Sequence, residues 1–308
     1  MGKIYRKNGQ EGIIFGTQIG SIKDGPGIRY VIYFKGCNFK CPWCSNPEGM
    51  NHKEEILLYP DKEKFTSSLI NSCSYGAIKL NYKGASITNR KLCEKCRTFD
   101  CIKNCYDNSR IKVGELKKVE EIISDVLKYK QFLKNDGGIT LTGGEPTYQW
   151  EFMFELIKCL KKHKLHIALE TNGSNPHIPE LFPYIDLIIF DLKIMDPKKH
   201  IFWTGCSNKQ ILKNIKNTHR EKIPFWIRIP IIPNINDSEK NLKETKEFLT
   251  TMKDSLKLEL LAYHETGIHK WKALGRKILM PDVKPPSHNK MEKLRKYFYD
   301  EDIKVINT

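Results

Sequence analysis

Six short stretches of the chain are dense in apolar residues: 29–35, 139–142, 166–170, 187–191, 226–231 and 258–262. Runs of this length, without strict alternation, are expected of parallel strands buried on both faces. Between them the apolar positions change to a helical period. Over 115–134, Val119, Ile122, Ile123, Val126 and Leu133 share one face, and Phe152, Leu156, Ile157 and Leu160 do the same in the next segment. Further helices are predicted over 209–217, 238–252 and 289–299. Six β–α units of this kind imply an α/β fold built on a parallel barrel, complete or partial.

One stretch breaks the rhythm. Residues 50–114 carry no β–α period and are rich in cysteine, so they read as a small domain inserted after the strand at 29–35. The expected division is 1–49 for the start of the barrel, 50–114 for the insertion and 115–308 for the remainder. Residues 1–15 lack the continuous apolar stretch of an export signal, and runs such as 185–190 are too short to span a bilayer. The expectation is a soluble, cytoplasmic, monomeric protein with no membrane partner. Lys and Arg exceed Asp and Glu by 52 − 36 = 16, but the excess is scattered and no basic run is interleaved with aromatics, so no nucleic-acid partner is expected.

Cysteine changes the picture more. There are ten, and eight of them fall between Cys37 and Cys105, whereas Cys159 and Cys206 stand alone. In a chain without an export signal, clustered cysteines point to metal or redox chemistry rather than disulfides. Directly after the first predicted strand comes Gly36-Cys37-Asn38-Phe39-Lys40-Cys41-Pro42-Trp43-Cys44. Three thiolates at this C-x3-C-x2-C spacing can hold three corners of a [4Fe–4S] cube, leaving one iron open to an outside donor. A zinc site completed by a distant histidine is the alternative.

Other polar residues fall at the C-terminal ends of the predicted strands, where barrel enzymes place their chemistry. Thr142-Gly143-Gly144-Glu145-Pro146 follows the second, Glu170-Thr171-Asn172-Gly173 closes the third, and Asp191-Leu192-Lys193 closes the fourth. Arg228 lies in the fifth, and His264 follows the sixth.

The cysteine loop and its position resemble the radical S-adenosylmethionine (SAM) superfamily. The resemblance is narrower still to its glycyl-radical-enzyme activating enzymes, the pyruvate formate-lyase activase among them. It is carried by Asp24-Gly25-Pro26-Gly27-Ile28-Arg29, Gly137-Gly138-Ile139-Thr140, the 142–146 segment, Asp191-Leu192-Lys193, Tyr263-His264-Glu265-Thr266-Gly267-Ile268-His269-Lys270-Trp271 and Lys284-Pro285-Pro286. The resemblance implies a partial parallel (β/α)6 barrel of radical SAM type. Cys37, Cys41 and Cys44 would hold a [4Fe–4S] cluster. Gly143, Gly144 and Glu145 would line the methionine end of SAM, with Lys193, Arg228 and His264 also at the SAM site. Asp24, Gly25 and Gly27 would meet the peptide of a partner glycyl radical enzyme, and a flavodoxin- or ferredoxin-type protein would supply electrons. Glu170, Thr171 and Asp191 match a monovalent-cation site beside SAM, although the pyruvate formate-lyase activase has Asp where this chain has Glu170. The implied reaction is reductive cleavage of SAM and abstraction of a glycine Cα hydrogen. A radical SAM enzyme of another branch, acting on a small molecule or a peptide, is the second reading.

Many such activases carry a two-cluster, ferredoxin-like insertion where this chain has residues 50–114. Here Cys73, Cys93, Cys96, Cys101 and Cys105 are too few for two cubes. In two-cluster ferredoxins the fourth cysteine of each run serves the other cluster. One auxiliary [4Fe–4S] cluster would therefore use Cys93, Cys96 and Cys101 with Cys73, or with Cys105 if the site is local, and a local site could equally hold zinc.

Overall fold

Among the described residues, which are 9–306 apart from 65, 135 and 281 of this computed structural model, thirteen strands follow one another. They are β1 (Glu11–Ser21), β2 (Arg29–Phe34), β3 (Glu55–Leu58), β4 (Ile78–Leu80), β5 (Ser86–Thr88), β6 (Arg110–Val113) and β7 (Glu115–Lys118). After them come β8 (Gly138–Gly143), β9 (Ile167–Thr171), β10 (Leu187–Asp191), β11 (Phe225–Ile231), β12 (Leu256–Ala262) and β13 (Val305–Ile306). Nine form one sheet in the order β13-β12-β11-β10-β9-β8-β2-β1-β7, parallel from β13 to β2 and antiparallel at β1 and β7. The edge strands β13 and β7 do not pair, so the barrel is partial.

Ile32, Phe34, Ile139, Leu141, Ile188, Phe190 and Ile227 are all fully enclosed. Each contributes roughly 1.5–3 kcal/mol relative to an exposed side chain. Helices Trp150–Lys162 and Lys209–Arg220 bury Leu156, Ile157, Leu160, Ile211 and Ile215 against the sheet's outer face. Laid flat, six strands from β2 to β12 would span roughly 24 Å. Residues after β2 and residues near the end of β12 nevertheless line one cleft, so the sheet must curve round it.

Residues 55–113 form two nested antiparallel pairs, β3 with β6 outside and β4 with β5 inside, packed with helix Thr66–Ser72. Ile56, Leu69, Ile78, Phe99 and Cys101 make a small core of their own. This unit leans on helix Ile268–Ala273 through Leu57, Val113, Ala273 and Leu274, and Arg90 Nη2 donates to Ala273 O at 2.5 Å.

The six strands expected from the apolar runs are all present. The single helix expected over 115–134 is not: Glu115–Lys118 is strand β7, and helices Val119–Leu127 and Lys130–Leu133 follow. The cause is tertiary. Residues 11–14 of β1 offer a free backbone edge that β7 satisfies, with Glu11 opposite Lys118 and Ile14 opposite Glu115. Strand β1 itself, exposed over 17–20 and lacking a continuous apolar run, carried no period-based signal. Residues 1–8 of the segment read for an export signal lie outside the described residues, within which no helix is long and apolar enough to cross a membrane.

Candidate active site

The loop 35–50 leaves β2 at Gly36, whose φ of +99° suits glycine, and is tied down on every side. Gly36 N donates to Gly49 O at 2.7 Å, Cys37 N to Met50 O at 3.0 Å, and Lys40 N to Thr204 O at 2.8 Å. Trp271 Nε1 donates to Cys44 O at 3.0 Å, and a Cβ on Gly267 would lie only 2.8 Å from that same oxygen. The 263–271 segment is therefore the loop's backing. Beneath it, Lys35 Nζ donates to Glu48 O and to Glu55 Oε2 at 2.9 Å, while Lys270 reaches Glu48 Oε1 at 2.5 Å. Cys37, Cys41 and Cys44 all line the cleft. Burial raises all three thiols, Cys41 to about 12 and Cys37 well above its ordinary value, with Glu145 adding to the effect on Cys37. Burial thus favours the neutral thiol at each of the three positions.

The two glycines of the 142–146 segment are required by backbone contact. A Cβ on Gly143 would sit 2.4 Å from Phe34 N, and one on Gly144 2.3 Å from Gly49 O and 2.4 Å from Gly36 O. They let β8 meet the cysteine loop, with Glu145 N donating to Gly36 O at 2.8 Å. Gly143 and Gly144 line the cleft; Glu145 stands behind its wall. Its carboxylate accepts from Thr147 N, Thr147 Oγ1, Thr171 Oγ1 and Asn172 N at 2.6–3.1 Å. Burial raises its pKa against the pull of those four donors. Glu145 thus joins the end of β8 to that of β9, and Asn172 in turn reaches Asn38 Oδ1 at 2.9 Å in the cysteine loop.

The same cleft carries a charged wall. Arg228 Nη1 donates to Glu170 Oε1 and its Nε to Glu259 Oε2, both at 2.5 Å, while Nη2 donates to Lys23 O at 2.8 Å. Burial opposes the Arg228 charge, but Glu170 and Glu259 more than offset it and raise its pKa. Burial pushes Glu170 up to about 6, with Arg228 pulling the other way. Lys193 Nζ donates to Asp191 Oδ2 at 3.0 Å; burial works against its charge, yet Asp191 and Cys41 hold it above the usual range. Both Glu170 oxygens are engaged, the second by Thr142 Oγ1 at 2.6 Å, and the Thr171 hydroxyl serves Glu145. The donors expected for a cation are thus bonded within the chain.

Two expected groups stand away from this wall. His264 lies behind Cys44, with Nε2 3.5 Å from Ser45 Oγ, and lines a separate small recess with Tyr263 and Trp271. The Asp24–Gly27 turn lies at the N-terminal ends of β2 and β8, anchored by Thr140 Oγ1 to Asp24 O at 2.5 Å and by the buried Arg29. Gly25 and Gly27 have φ of +124° and +67°, and Asp136 O occupies the place of a Cβ on Gly27. Lys23 O nonetheless reaches Arg228, so the turn touches the charged wall through backbone. Glu259 was missed in the sequence; its signal was a carboxylate inside the otherwise apolar 258–262 run.

In the inserted unit, Cys93 and Cys101 each feel Cys73 and Cys96 electrostatically, although among the described residues no group of three or more His, Cys, Asp or Glu side chains is arranged to hold a metal ion. Burial raises the Cys101 thiol to about 11; Arg110 opposes the rise, and Cys73, Cys93 and Cys96 add to it. Cys105 is otherwise occupied: its Sγ accepts from Arg110 N at 3.2 Å and lies 3.3 Å from Asp107 Oδ1.

The cleft of about 250 Å³ thus combines three thiols, a Lys–Asp pair, an Arg clamped by two carboxylates and exposed backbone at Gly143–Gly144. Its paired charges and exposed backbone suit a small zwitterionic ligand beside the thiols. The family model described as Radical SAM superfamily matches residues 31–248. The chain is 34% identical over 305 residues to the 4-hydroxyphenylacetate decarboxylase activating enzyme of Clostridium scatologenes, covering 96% of each chain. It is 33% identical over 292 residues to the trans-4-hydroxy-L-proline dehydratase activating enzyme of Clostridioides difficile, covering 93% of this chain and 95% of that one. Among solved structures, Streptococcus suis SuiB bound to precursor peptide SuiA shares the fold, with a TM-score of 0.52 and 16% identity over 88% of this chain and 45% of that one.

Proposed function

The chain belongs to the radical SAM superfamily and, within it, to the glycyl-radical-enzyme activating enzymes; on that premise we propose that its cleft uses SAM to generate a glycyl radical in a partner protein. One observation carries this reading. One buried and two half-buried thiols on one tied loop share a cleft with Glu170, Asp191, Lys193 and Arg228, and Glu259 holds Arg228 from behind. Cys37, Cys41 and Cys44 would hold a [4Fe–4S] cluster with one iron free, a donor set that matches the loop's three thiols. Such a cluster would supply the single electron for reductive cleavage of SAM, the chemistry that would let the site take a Cα hydrogen from the partner's glycine.

The chain's own groups bind and align. Gly143 and Gly144 present backbone to the methionine end. Glu145 acts from behind by fixing those glycines rather than by direct contact. Lys193 keeps its charge beside Cys41, which offsets the anionic thiolates. Arg228 is held rigid for the carboxylate end, and Glu170 and Asp191 present oxygens to hydroxyl groups or, on exchange of an in-chain bond, to a monovalent cation. His264, on the far side of Cys44, would reach the rim of the SAM site. The Asp24–Gly27 turn would take the partner's peptide, with its contact to Arg228 linking the two.

The insertion, residues 50–114, reads as a ferredoxin-like domain dividing the barrel residues 1–49 from 115–308. Its nested strand pairs and the spacing of its five cysteines support this, and we assign an auxiliary [4Fe–4S] cluster to Cys73, Cys93, Cys96 and Cys101. A flavodoxin- or ferredoxin-type donor suits a one-electron step. Relatives named for a decarboxylase and for a dehydratase are similar to nearly the same degree, so the partner is proposed by class: a glycyl radical enzyme.

The test is anaerobic. The iron-loaded, reduced chain is given SAM and a candidate partner, and 5′-deoxyadenosine and the partner's radical are measured by chromatography and paramagnetic resonance. Both are expected from the native chain and neither from Cys41→Ala. Nucleoside formation with no partner radical, for any glycyl radical enzyme tried, would move the reading to another branch; no nucleoside at all would end it.

A further inference from the structure

Strand β1 is 11 residues long, but β7 pairs only with residues 11–14 of it. Just before β7, Gly114 at φ +102° separates it from β6, which pairs with β3 instead. Residues 15–21 of β1 therefore pair with β2 on one side, and among the described residues no strand pairs with the other. Such an edge presents a row of unpaired main-chain N–H and C=O groups, which proteins guard with charge, proline or brevity. The two end strands of the sheet are guarded: β7 carries Glu115, Lys117 and Lys118, and β13 has only 2 residues. Residues 15–21 carry no charge and no proline, and 17–20 are exposed. This edge is left open.

Its surroundings indicate what belongs there. A cavity of about 500 Å³ opens beside it, lined by Phe15, Gly16 and Thr17 and by Lys112, Gly114 and Glu115 where the chain parts from β1. Ile19, Ile22 and Ile28 are 43%, 69% and 44% exposed, and all three flank the turn at 24–27. The open edge runs straight into that turn, and Lys23 O accepts from Arg228 Nη2 at 2.8 Å, so edge and cleft are continuous. Gln18 looks toward the cleft, because its Oε1 accepts from Tyr33 OH at 2.9 Å. Burial pushes that phenol up to about 12, and the nearby carboxylates of Asp24 and Glu170 add to the rise. A row of main-chain donors and acceptors between apolar side chains is satisfied by an extended polypeptide, and by no small ion.

We propose that residues 15–21 are a docking edge, on which an extended segment of the partner glycyl radical enzyme pairs as an added strand. Ile19, Ile22 and Ile28 form an apolar collar that seals this segment as it passes the 24–27 turn toward the cleft. Main-chain pairing supplies affinity without regard to side chains, while alternate residues of the segment face the Gln18–Tyr33 side and the opposite side of the sheet. The edge thus serves a partner that must be held extended so that one backbone carbon can be reached. The inference deepens the activation reading above and rests on it.

The test uses the full-length chain, with an intact decarboxylase and an intact dehydratase of the glycyl radical class as probes. Binding is measured anaerobically with SAM present, and amide hydrogen exchange of the chain is followed by mass spectrometry with and without each probe. Amides of residues 15–21 should exchange more slowly in the complex, whereas those of 305–306 at the far end of the sheet should not change. Ile19→Ser and Ile22→Ser should each weaken binding about tenfold, as expected for an exposed side chain that a partner buries. Their thermal unfolding should match the native chain, since both side chains are exposed. Binding without slowed exchange at 15–21, or slowed exchange confined to the insertion, would overturn the docking edge and leave the activation reading intact. Variants that both bind like the native chain would overturn it as well. No binding of either probe by the native chain would overturn the activation reading and the proposal together.

Discussion

Arg228 and Glu259 are register partners on adjacent strands, β11 and β12, and the Arg228 Nε donates to Glu259 Oε2 at 2.5 Å. Glu259 is 1% exposed and its other oxygen has no partner among the described residues. A carboxylate is kept inside an apolar strand here to hold one side of a guanidinium whose other side serves Glu170. Glu259→Ala would leave Arg228 buried with an unmet Nε, at a cost of about 3–5 kcal/mol. Glu259→Gln, which can still accept from Nε, should fold but bind SAM roughly tenfold more weakly, because a shift of about 1.4 kcal/mol in a charged hydrogen bond is a tenfold change. Denaturant unfolding and equilibrium SAM binding check the two. Unaltered SAM affinity in the Gln variant would remove Glu259 from the site.

Glu170 supplies a pH signature. Burial raises its carboxyl from 4.5 to about 6 in the folded chain, despite the opposing pull of Arg228. A raised folded-state value means that the folded form takes up the proton more readily. The stability from this group is complete below about pH 4.5 and is lost as pH rises through 6, by at most about 2 kcal/mol. In the metal-free chain, Glu170→Gln should therefore gain on the native protein between pH 4.5 and 6.5. Urea unfolding at four or five pH values reads the difference, and parallel curves would contradict it.

Much of this site could be read in the chain because its residues fall at strand ends, and the strands announce themselves by apolar runs. Cys37, Cys41 and Cys44, Glu170, Asp191 and Arg228 were found in this way and do line one cleft. Periodicity failed where backbone pairing overrode it: the charged 115–118 segment becomes β7 because β1 has an edge to fill, and β1 is too exposed to announce itself. Roles were harder to read than positions. Glu145 is conspicuous in sequence as a strand-end carboxylate, but that it also braces β8 to β9 through four donors appears only in the fold. Glu259 was invisible as a functional group, because its meaning lies in its partner Arg228 on the neighbouring strand.

The glycines of the 142–146 segment should fail by displacing the cysteine loop. In Gly144→Ala the new methyl meets two loop carbonyls, at Gly36 and Gly49, closer than any real contact. Gly205→Ala is the control: it has φ +83° and nothing within 4 Å, so only backbone strain of about 1–2 kcal/mol is expected. Iron bound by the cysteine loop should be lost in Gly144→Ala and kept in Gly205→Ala, even where the two melt at similar temperatures. Full iron in Gly144→Ala would show that the loop can yield.

The cysteines of the insertion allow a sharper comparison, since Cys73 and Cys105 compete for one task. Cys105 is already bonded to Arg110 N and Asp107, and a serine hydroxyl could replace it in both contacts. Cys73 influences Cys93 and Cys101 electrostatically and packs on the small core that contains Cys101. Removing one of four thiolates exposes a cluster to loss, whereas removing a neighbour does not. Cys73→Ser should therefore reduce the iron bound per chain to about half, the share left on the cysteine loop if each site carries one cube. Cys105→Ser should keep it all, with at most a modest loss of thermal stability. The opposite pattern would make the site a local one closed by Cys105, and would require Arg110 and Asp107 to release that thiol on metal binding. Equal and complete retention in both would mean that neither closes it. The fourth ligand would then have to come from outside the five cysteines of the insertion, and the ferredoxin-like reading would lose its main support.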